Sequence, residues 1–156
     1  MKNMMTYVIC VLLVELCGFG VGMMTREGTA IYRDTIAKPP LSPAPIAFPI
    51  AWTILYALMG IGLARVIMSE ASGDRTAAIA LFAAQLVFNL AWCFIFFKAQ
   101  RFDFAFIWLL VMFILVVLMF LKFRKIDAIA ANIQIPYMLW LVFAGYLNLG
   151  VWILNR

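Results

Sequence analysis

The sequence contains no histidine, only three cysteines and few charged residues. Histidine is the commonest general base, a common metal ligand and the usual proximal ligand of haem, so its absence argues against all three kinds of site. The cysteines lie singly in apolar segments and form no CxxC pair, which argues against a disulfide framework. Neither a phosphate-binding loop nor a nucleophile–base pair is recognisable. We therefore expect neither a metal site nor a bound cofactor.

Apolar residues dominate the chain instead. They make up 67% of the 156 residues, while charged residues make up 12%, about half the share in a soluble domain. The run from Phe104 to Leu121 contains no charged residue. At about 1.5 Å per residue it is long enough to cross the hydrocarbon of a bilayer. A soluble helical bundle would need polar stripes at helical spacing, and these runs have none. The sequence therefore predicts an all-α, multi-pass integral membrane protein.

The apolar runs predict a single domain of five spans. We place the spans at residues 6–24, 46–68, 76–97, 102–121 and 128–154. The first run carries Glu15 in its middle and lacks a cleavage site, so we interpret it as a retained span and not a signal peptide. Pro136 implies that the last span either begins near Ile135 or bends there. Six basic residues lie on each side of the membrane, which leaves the orientation open.

Two polar features lie outside the spans. The segment 25–45 contains four prolines, and because proline restricts its own backbone and that of its predecessor, the segment should be stiff. We expect it to act as a lid. The only basic cluster, Lys122, Arg124 and Lys125, directly follows an apolar run. That position favours contact with the headgroups of the lipid bilayer over contact with nucleic acid.

Aromatic and amide side chains form a stripe on each of three spans. The spacings of three and four put each set on one helix face. The sets are Trp52 and Tyr56 in the second span, Gln85, Asn89, Trp92 and Phe96 in the third, and Tyr137, Trp140, Ala144 and Asn148 in the fifth. If the stripes converge, they line a cavity with flat apolar walls and a few hydrogen-bonding groups, which is typical of sites for planar ligands. The alternative is that amides link helices and aromatic rings lie at the membrane interface, as we expect for Trp108 and Trp152.

Two polar residues deep in the spans need partners. Glu15 has no partner in its own helix, so we expect it to be protonated, with pairing to Arg65 or a proton-coupled role as alternatives. For Asn89 we expect water or Gln85 to satisfy the amide in the empty protein, and a ligand carbonyl or carboxylate to do so when the site fills.

Four segments resemble the translocator protein family, whose bacterial members are called tryptophan-rich sensory proteins. The segments are KPPxSP at 38–43, FPxAWTxLY at 48–56, AQLxFNxxWxxxFF at 84–97 and PYxxWxxFAxxLN at 136–148. They occur in the order of the family and cover most of the chain. The resemblance implies a five-helix protein of the bacterial cell membrane that dimerises and binds porphyrins, sterols and benzodiazepine-type ligands in a pocket beneath the first loop.

The resemblance also assigns residues. As pocket-lining positions it implies Tyr32, Pro43, Trp52, Tyr56, Asn89, Trp92, Trp140, Ala144 and Leu147. The stripes add Gln85, Phe96 and Tyr137 to this set of ligand-binding candidates. Some family members degrade protoporphyrin in light with the participation of tryptophans, which makes Trp52 and Trp140 the candidate catalytic residues if this chain does so.

Two departures from the family pattern bear on the ligand. Leu41 stands where the family loop usually carries a tryptophan, so one aromatic wall is expected to be missing. Leu149 and Ile153 replace the tyrosine and arginine of the sterol-recognition pattern of animal members. Sterol binding through that pattern is therefore not expected.

Three functions remain open at this stage. The leading hypothesis is a binding or sensing protein for porphyrins, such as protoporphyrin IX and haem-related tetrapyrroles, and for other planar hydrophobic molecules. The alternatives are an enzyme that degrades porphyrin and a carrier of lipophilic metabolites. Ala80 and Ala84 form a small-xxx-small pair in the third span, which predicts a homodimer through that helix.

Overall fold

The computed structural model describes residues 2–70 and 73–156, and every regular element in these two ranges is helical. The helices are α1 (Lys2–Met24), α2 (Arg26–Thr35), α3 (Ala47–Met68), α4 (Gly73–Cys93), α5 (Phe102–Ile126), α6 (Ala128–Asn132) and α7 (Ile135–Leu154). A π-helical turn, Phe94–Lys98, continues α4. The prediction of an all-α fold is confirmed.

Five of the helical stretches are long and apolar enough to cross a membrane. They are Asn3–Met24, Ala47–Met68, Gly73–Lys98, Phe102–Ile126 and Ala128–Leu154. Short connections make successive spans antiparallel, so α2 and the C-terminus share one end of the bundle, and the turn between α3 and α4 lies at the other. We call these the α2 end and the turn end. The protein is a multi-pass integral membrane protein.

The last span resolves the two alternatives for Pro136. The short helix α6 ends at Asn132, and α7 begins at Ile135 with Pro136 in its first turn. Proline is tolerated there because the first backbone N–H groups of a helix have no partner within the helix. The long helix therefore begins near Ile135 and does not bend at the proline.

The helix α5 lies between α4 and α7, while α1 packs mainly against α3, which also contacts α4 and α6. The side chains of Met59, Met112, Met119 and Phe123 are fully buried between helices. Gly60 lets α1 approach closely, since a Cβ at this position would overlap the backbone of Val11. The outward faces of the spans carry exposed leucine, isoleucine and valine, as contact with lipid requires.

The segment 25–45, which we expected to be a loop, begins with the ten-residue helix α2. Gly28 and Tyr32, one turn apart, are its buried residues, and the backbone beyond α2 is non-helical up to Ala47. The non-helical part is tied to α7 at two places. Asn155 exchanges two hydrogen bonds with the backbone of Ala37, at 3.0 and 2.9 Å, and Tyr146 Oη donates to the Pro40 carbonyl at 2.7 Å.

An ion pair fastens the turn end. Arg65 Nη2 of α3 lies 2.7 Å from Asp127 Oδ2, and the backbone N–H of Ala130 donates to Asp127 Oδ1 at 2.9 Å. Asp127 thus caps α6 and ties it to α3. The alternative pairing of Arg65 with Glu15 was wrong, because the guanidinium of Arg65 pairs with Asp127. Glu15 makes no ion pair within the described ranges.

This ion pair predicts a pH-dependent stability. Burial raises the pKa of Asp127, but the hydrogen bonds from Arg65 and Ala130 outweigh it, so its pKa lies below the ordinary value. The stabilisation is therefore fully present above the pKa of the unfolded chain, about 3.9, and disappears as the pH falls through the lower folded-state pKa. We expect Asp127→Asn to lower the melting temperature in detergent at neutral pH, and the difference from wild type to shrink below about pH 4. A difference that stays constant with pH would contradict this assignment.

Trp108, which we predicted at the membrane interface, is half-buried against a neighbouring span. Its indole N–H donates to the Phe88 carbonyl at 2.9 Å, and its ring stacks on the Phe88 ring with 4.3 Å between centres. It therefore joins α5 to α4. Trp152 is half-buried beside Phe106, with 6.4 Å between ring centres.

Candidate functional site

The three stripes converge at the α2 end of the bundle. They enclose a narrow cavity of about 40 Å³ between α3, the end of α4, and α7, with α2 on its outer side. The lining residues are Tyr32, Phe48, Trp52, Trp92, Phe96, Phe97, Trp140, Ala144, Leu147 and Asn148. A larger hollow of about 700 Å³ lies on the outer surface at the turn end. We place the candidate site in the smaller cavity because it is enclosed by the aromatic and amide stripes.

Seven of the twelve predicted ligand-binding residues line this cavity: Tyr32, Trp52, Trp92, Phe96, Trp140, Ala144 and Leu147. Four others lie beside it in a buried hydrogen-bonded cluster: Tyr56, Gln85, Asn89 and Tyr137. Pro43 is half-buried and is not among the lining residues. The structure thus separates the candidates into a cavity wall and a polar cluster.

Tryptophan rings form much of the wall. The rings of Trp52 and Trp140 meet edge to face with 6.2 Å between centres, and Phe48 lies 6.1 Å from Trp140 in the same arrangement. On the other side, Trp92 stacks on Phe96 at 4.6 Å. Such contacts between rings contribute about 0.5 to 1.5 kcal/mol each beyond the burial of their area. The wall therefore presents several ring faces and edges to anything that enters.

The polar cluster joins three helices. Tyr56 Oη of α3 donates to Asn89 Oδ1 at 2.8 Å, and Asn89 Nδ2 of α4 donates to Tyr137 Oη of α7 at 3.0 Å. Tyr137 Oη donates in turn to Gln85 Oε1 at 3.0 Å. We expected Gln85 or water to satisfy Asn89. For Gln85 that expectation was wrong, because the tyrosine hydroxyls of two neighbouring helices bond to Asn89 instead.

The cluster nevertheless retains unused donors. Gln85 is fully buried, and its Nε2 has no hydrogen-bond partner among residues 2–70 and 73–156. Asn89 Nδ2 makes one of the two hydrogen bonds that it can make. Trp52 stands between this cluster and the cavity, with its ring 5.2 Å from the Tyr56 ring and 6.3 Å from the Tyr137 ring. Buried donors without acceptors are costly, so an acceptor that reaches them would be bound favourably.

A second polar link holds Trp92 in place. Its indole N–H donates to Asn148 Oδ1 at 3.1 Å, and Asn148 Nδ2 donates to the Phe102 carbonyl at 2.8 Å. Asn148 is fully buried. The amide therefore fixes the orientation of one cavity wall by accepting from Trp92, and at the same time it donates a bond to the start of α5.

The cavity is neutral, and one cation lies close to it. None of its lining side chains carries a formal charge, and burial raises the pKa of the Tyr32 hydroxyl, which stays protonated at neutral pH. Lys38 Nζ lies 5.2 Å from the centre of the Tyr32 ring and donates to the Arg33 carbonyl at 2.8 Å. Lys38 thus caps α2 and places an ammonium group beside a wall residue of the cavity.

Three lining residues were missing from the predicted set: Phe48, Phe97 and Asn148. Phe48 precedes Trp52 by four residues and Asn148 follows Ala144 by four, so both lay on stripes that were already visible. Phe97 could not be found in this way. It belongs to the π-helical turn, whose wider turn brings a residue outside the α-helical spacing to the cavity.

Leu41, which replaces the expected tryptophan, points away from the cavity wall. It is 83% exposed and is not a lining residue. Its φ of 65° lies in the left-handed region, which is unfavourable for a residue with a side chain. This position therefore contributes no ring to the cavity wall.

Comparison with known proteins gives one consistent family. The TspO/MBR family model matches residues 10–153. The chain is 32% identical to the tryptophan-rich protein TspO of Chlorobaculum tepidum over 99% of this chain and 98% of that protein. It is 37% identical to the tryptophan-rich sensory protein of Cereibacter sphaeroides over 80% and 77%. It is also 32% identical to the translocator protein of Ovis aries over 85% and 79%.

Proposed function

Because the chain belongs to the TspO/MBR family, we propose that this membrane protein binds and senses planar hydrophobic molecules in the cavity between α3, α4 and α7. Porphyrins such as protoporphyrin IX and haem-related tetrapyrroles are the leading ligand class, followed by benzodiazepine-type compounds. The observation that carries the proposal is the neutral, tryptophan-walled cavity with unused amide donors behind Trp52. Flat ligand rings stack on such walls, and a carbonyl or carboxylate at the edge of the ligand can accept hydrogen bonds from the amide donors or from Lys38.

The size of the cavity implies that it widens on binding. Its volume of about 40 Å³ holds a few water molecules, whereas sites for small organic ligands measure about 300 to 1,000 Å³. The wall on the α2 side is the part that can move, since Tyr32 belongs to a short helix outside the spans. We propose that α2 and the segment up to Pro45 form a lid that moves outwards when a ligand enters.

Tryptophan fluorescence tests the proposed site. Protoporphyrin IX titrated into the purified protein should quench the emission, because three indoles lie in the cavity wall and a tetrapyrrole accepts energy from them. Trp52→Phe and Trp140→Phe should each weaken binding by up to about ten-fold, because a phenyl ring stacks over less of the macrocycle than an indole does. Trp108→Phe is the matched control, since Trp108 lies against Phe88 outside the cavity. Equal effects of all three variants would contradict the assignment.

The contact between Trp52 and Trp140 favours a second candidate, the degradation of bound porphyrin. Two indoles with 6.2 Å between ring centres in one cavity wall would both lie against a bound macrocycle. Binding alone leaves the porphyrin spectrum recoverable after extraction. Degradation in light gives a new product, and its formation should disappear in Trp52→Phe or Trp140→Phe.

We further propose a homodimer through α4. Ala80 is exposed on the outer face of this helix, together with Ala83 and Val87, whereas Ala84 is half-buried. Small residues allow two helices to approach closely in a membrane. Ala80→Leu and Ala84→Leu should both shift crosslinked dimer towards monomer in detergent, with Val142→Leu on the exposed face of α7 as the control. An unchanged dimer in both variants would move the interface to Gly20 and Gly22 of α1.

A further inference from the structure

The larger hollow, at the turn end, is an apolar groove with a cationic rim. Its walls are Leu81 of α4 and Leu118 and Leu121 of α5, and its rim consists of Lys122, Arg124 and Lys125. With about 700 Å³ it is more than ten times as large as the cavity between the stripes. It opens on the outside of the bundle, where the bilayer lies.

The groove changes from apolar to cationic along one helix face. Leu118, Leu121, Lys122 and Lys125 follow spacings of three, one and three, so they lie on one side of α5. The distance from Leu118 to Lys125 is about 10 Å along the helix axis at 1.5 Å per residue. The upper part of an acyl chain and its headgroup have the same order of apolar and charged parts over a similar length.

The charges at the rim leave a net positive site. Lys122 Nζ is held by Asp74 of α4, 2.6 Å from Oδ1. Arg124 and Lys125 are exposed and make no ion pair within the described ranges. The rim therefore carries three cations against the single carboxylate of Asp74. An occupant with an apolar tail and an anionic head is complementary to this arrangement, whereas a zwitterionic lipid brings its own cation to the same place.

We propose that this groove binds an anionic phospholipid of the surrounding bilayer. The phosphate lies on Arg124 and Lys125, and one acyl chain lies along Leu81 and Leu118. Lys122 remains tied to Asp74 and orients the rim. The site is separate from the tryptophan-walled cavity and lies at the opposite end of the bundle.

Native mass spectrometry of the purified full chain tests the proposal. The protein is mixed with equal amounts of dioleoyl phosphatidylglycerol and dioleoyl phosphatidylcholine, and the bound lipids are counted. We expect phosphatidylglycerol to be preferred, and the double variant Arg124→Gln/Lys125→Gln to reduce this preference about ten-fold or more, because each cation contributes about five-fold to attraction by an anionic headgroup. Lys98→Gln, at the other end of α4, is the matched control and should change nothing.

Two further variants distinguish lipid binding in the groove from a general attraction of anionic lipid by surface charge. Asp74→Asn removes the competing carboxylate and should increase bound phosphatidylglycerol. Leu118→Trp fills the apolar part at a lipid-facing position without changing the charge, and it should reduce bound phosphatidylglycerol. Equal binding of both lipids by the wild type, or an unchanged preference in the double variant, would overturn the proposal. If the variants changed the fraction of dimer but not the number of bound lipids, the proposal would also be overturned, because a second copy of the chain would then cover the groove.

Discussion

Gly28→Ala is expected to undock α2 and to expose the segment around it to trypsin. A Cβ at residue 28 would overlap the carbonyl group of Phe97 in the π-helical turn. The obstacle is backbone, which cannot rotate away as a side chain can, so α2 must shift outwards. Overpacking of this kind costs about 1 to 3 kcal/mol. Cleavage after Arg26 and Arg33 should then accelerate about ten-fold or more, because cleavage follows the population of the open form.

The same substitution elsewhere supplies the control. Gly22 of α1 has no atom within 4 Å of the position that a Cβ would take. Gly22→Ala should therefore leave the cleavage rate unchanged and stabilise α1 slightly, since alanine is the better helix former by about 1 kcal/mol. If Gly28→Ala and Gly22→Ala were cleaved equally slowly, α2 would not depend on close contact with the π-helical turn.

Protection from trypsin by bound ligand tests whether α2 acts as the lid. Saturating protoporphyrin IX should protect wild-type α2 from trypsin, because Tyr32 then packs on the ligand as it now packs on Phe96, with 5.4 Å between ring centres. In Gly28→Ala the protection should be weaker and the ligand should dissociate faster. Equal cleavage of the wild type with and without ligand would contradict the lid proposal. Fluorescence would still test binding in the cavity independently.

The five long apolar helices could be predicted from the sequence because hydrophobic length and composition decide them. It did not predict α2, although Gly28 and Tyr32 stand at helical spacing. The composition of Arg26–Thr35 is polar and includes glycine, which lowers helix propensity, and the helix exists because tertiary contacts with the end of α4 hold it. A single sequence does not contain that information in a local form.

The candidate site likewise contains features that the sequence predicts and features that depend on tertiary contacts. Convergence of three stripes followed from spacing, so most wall residues could be named in advance. The hydrogen-bond partners could not, because they depend on the rotation and depth of α3, α4 and α7 relative to each other. Gln85 and Asn89 lie one turn apart on α4, and nothing in the sequence shows that Asn89 bonds to the hydroxyls of Tyr56 and Tyr137 instead of to Gln85. The π-helical turn packs against α2, and no pattern in Phe94–Lys98 predicted it.

Asn89→Leu is expected to weaken both the fold and the binding of carbonyl-bearing ligands. The substitution keeps the volume but leaves the hydroxyl of Tyr56, which is 7% exposed, without its acceptor. An unpaired buried polar group costs about 1 to 3 kcal/mol. A hydrogen bond between membrane helices stabilises the fold by at most about 1.7 kcal/mol. We therefore expect a loss of about 1 to 2 kcal/mol in the free energy of unfolding. In Asn89→Leu/Tyr56→Phe both partners are gone, and part of this loss should be recovered.

Ligand chemistry decides whether Asn89 also acts in binding. Its second N–H and the free Nε2 of Gln85 are donors that a ligand carbonyl meets once it passes Trp52. Asn89→Leu removes one of them, so affinity for a carbonyl-bearing benzodiazepine-type ligand should fall about ten-fold, or about 1.4 kcal/mol. A planar aromatic hydrocarbon of similar size forms no such bond, and its affinity should stay within about two-fold. If both ligands lost affinity equally, Asn89 would act only as a bridge between helices, and binding would rest on the tryptophan wall alone.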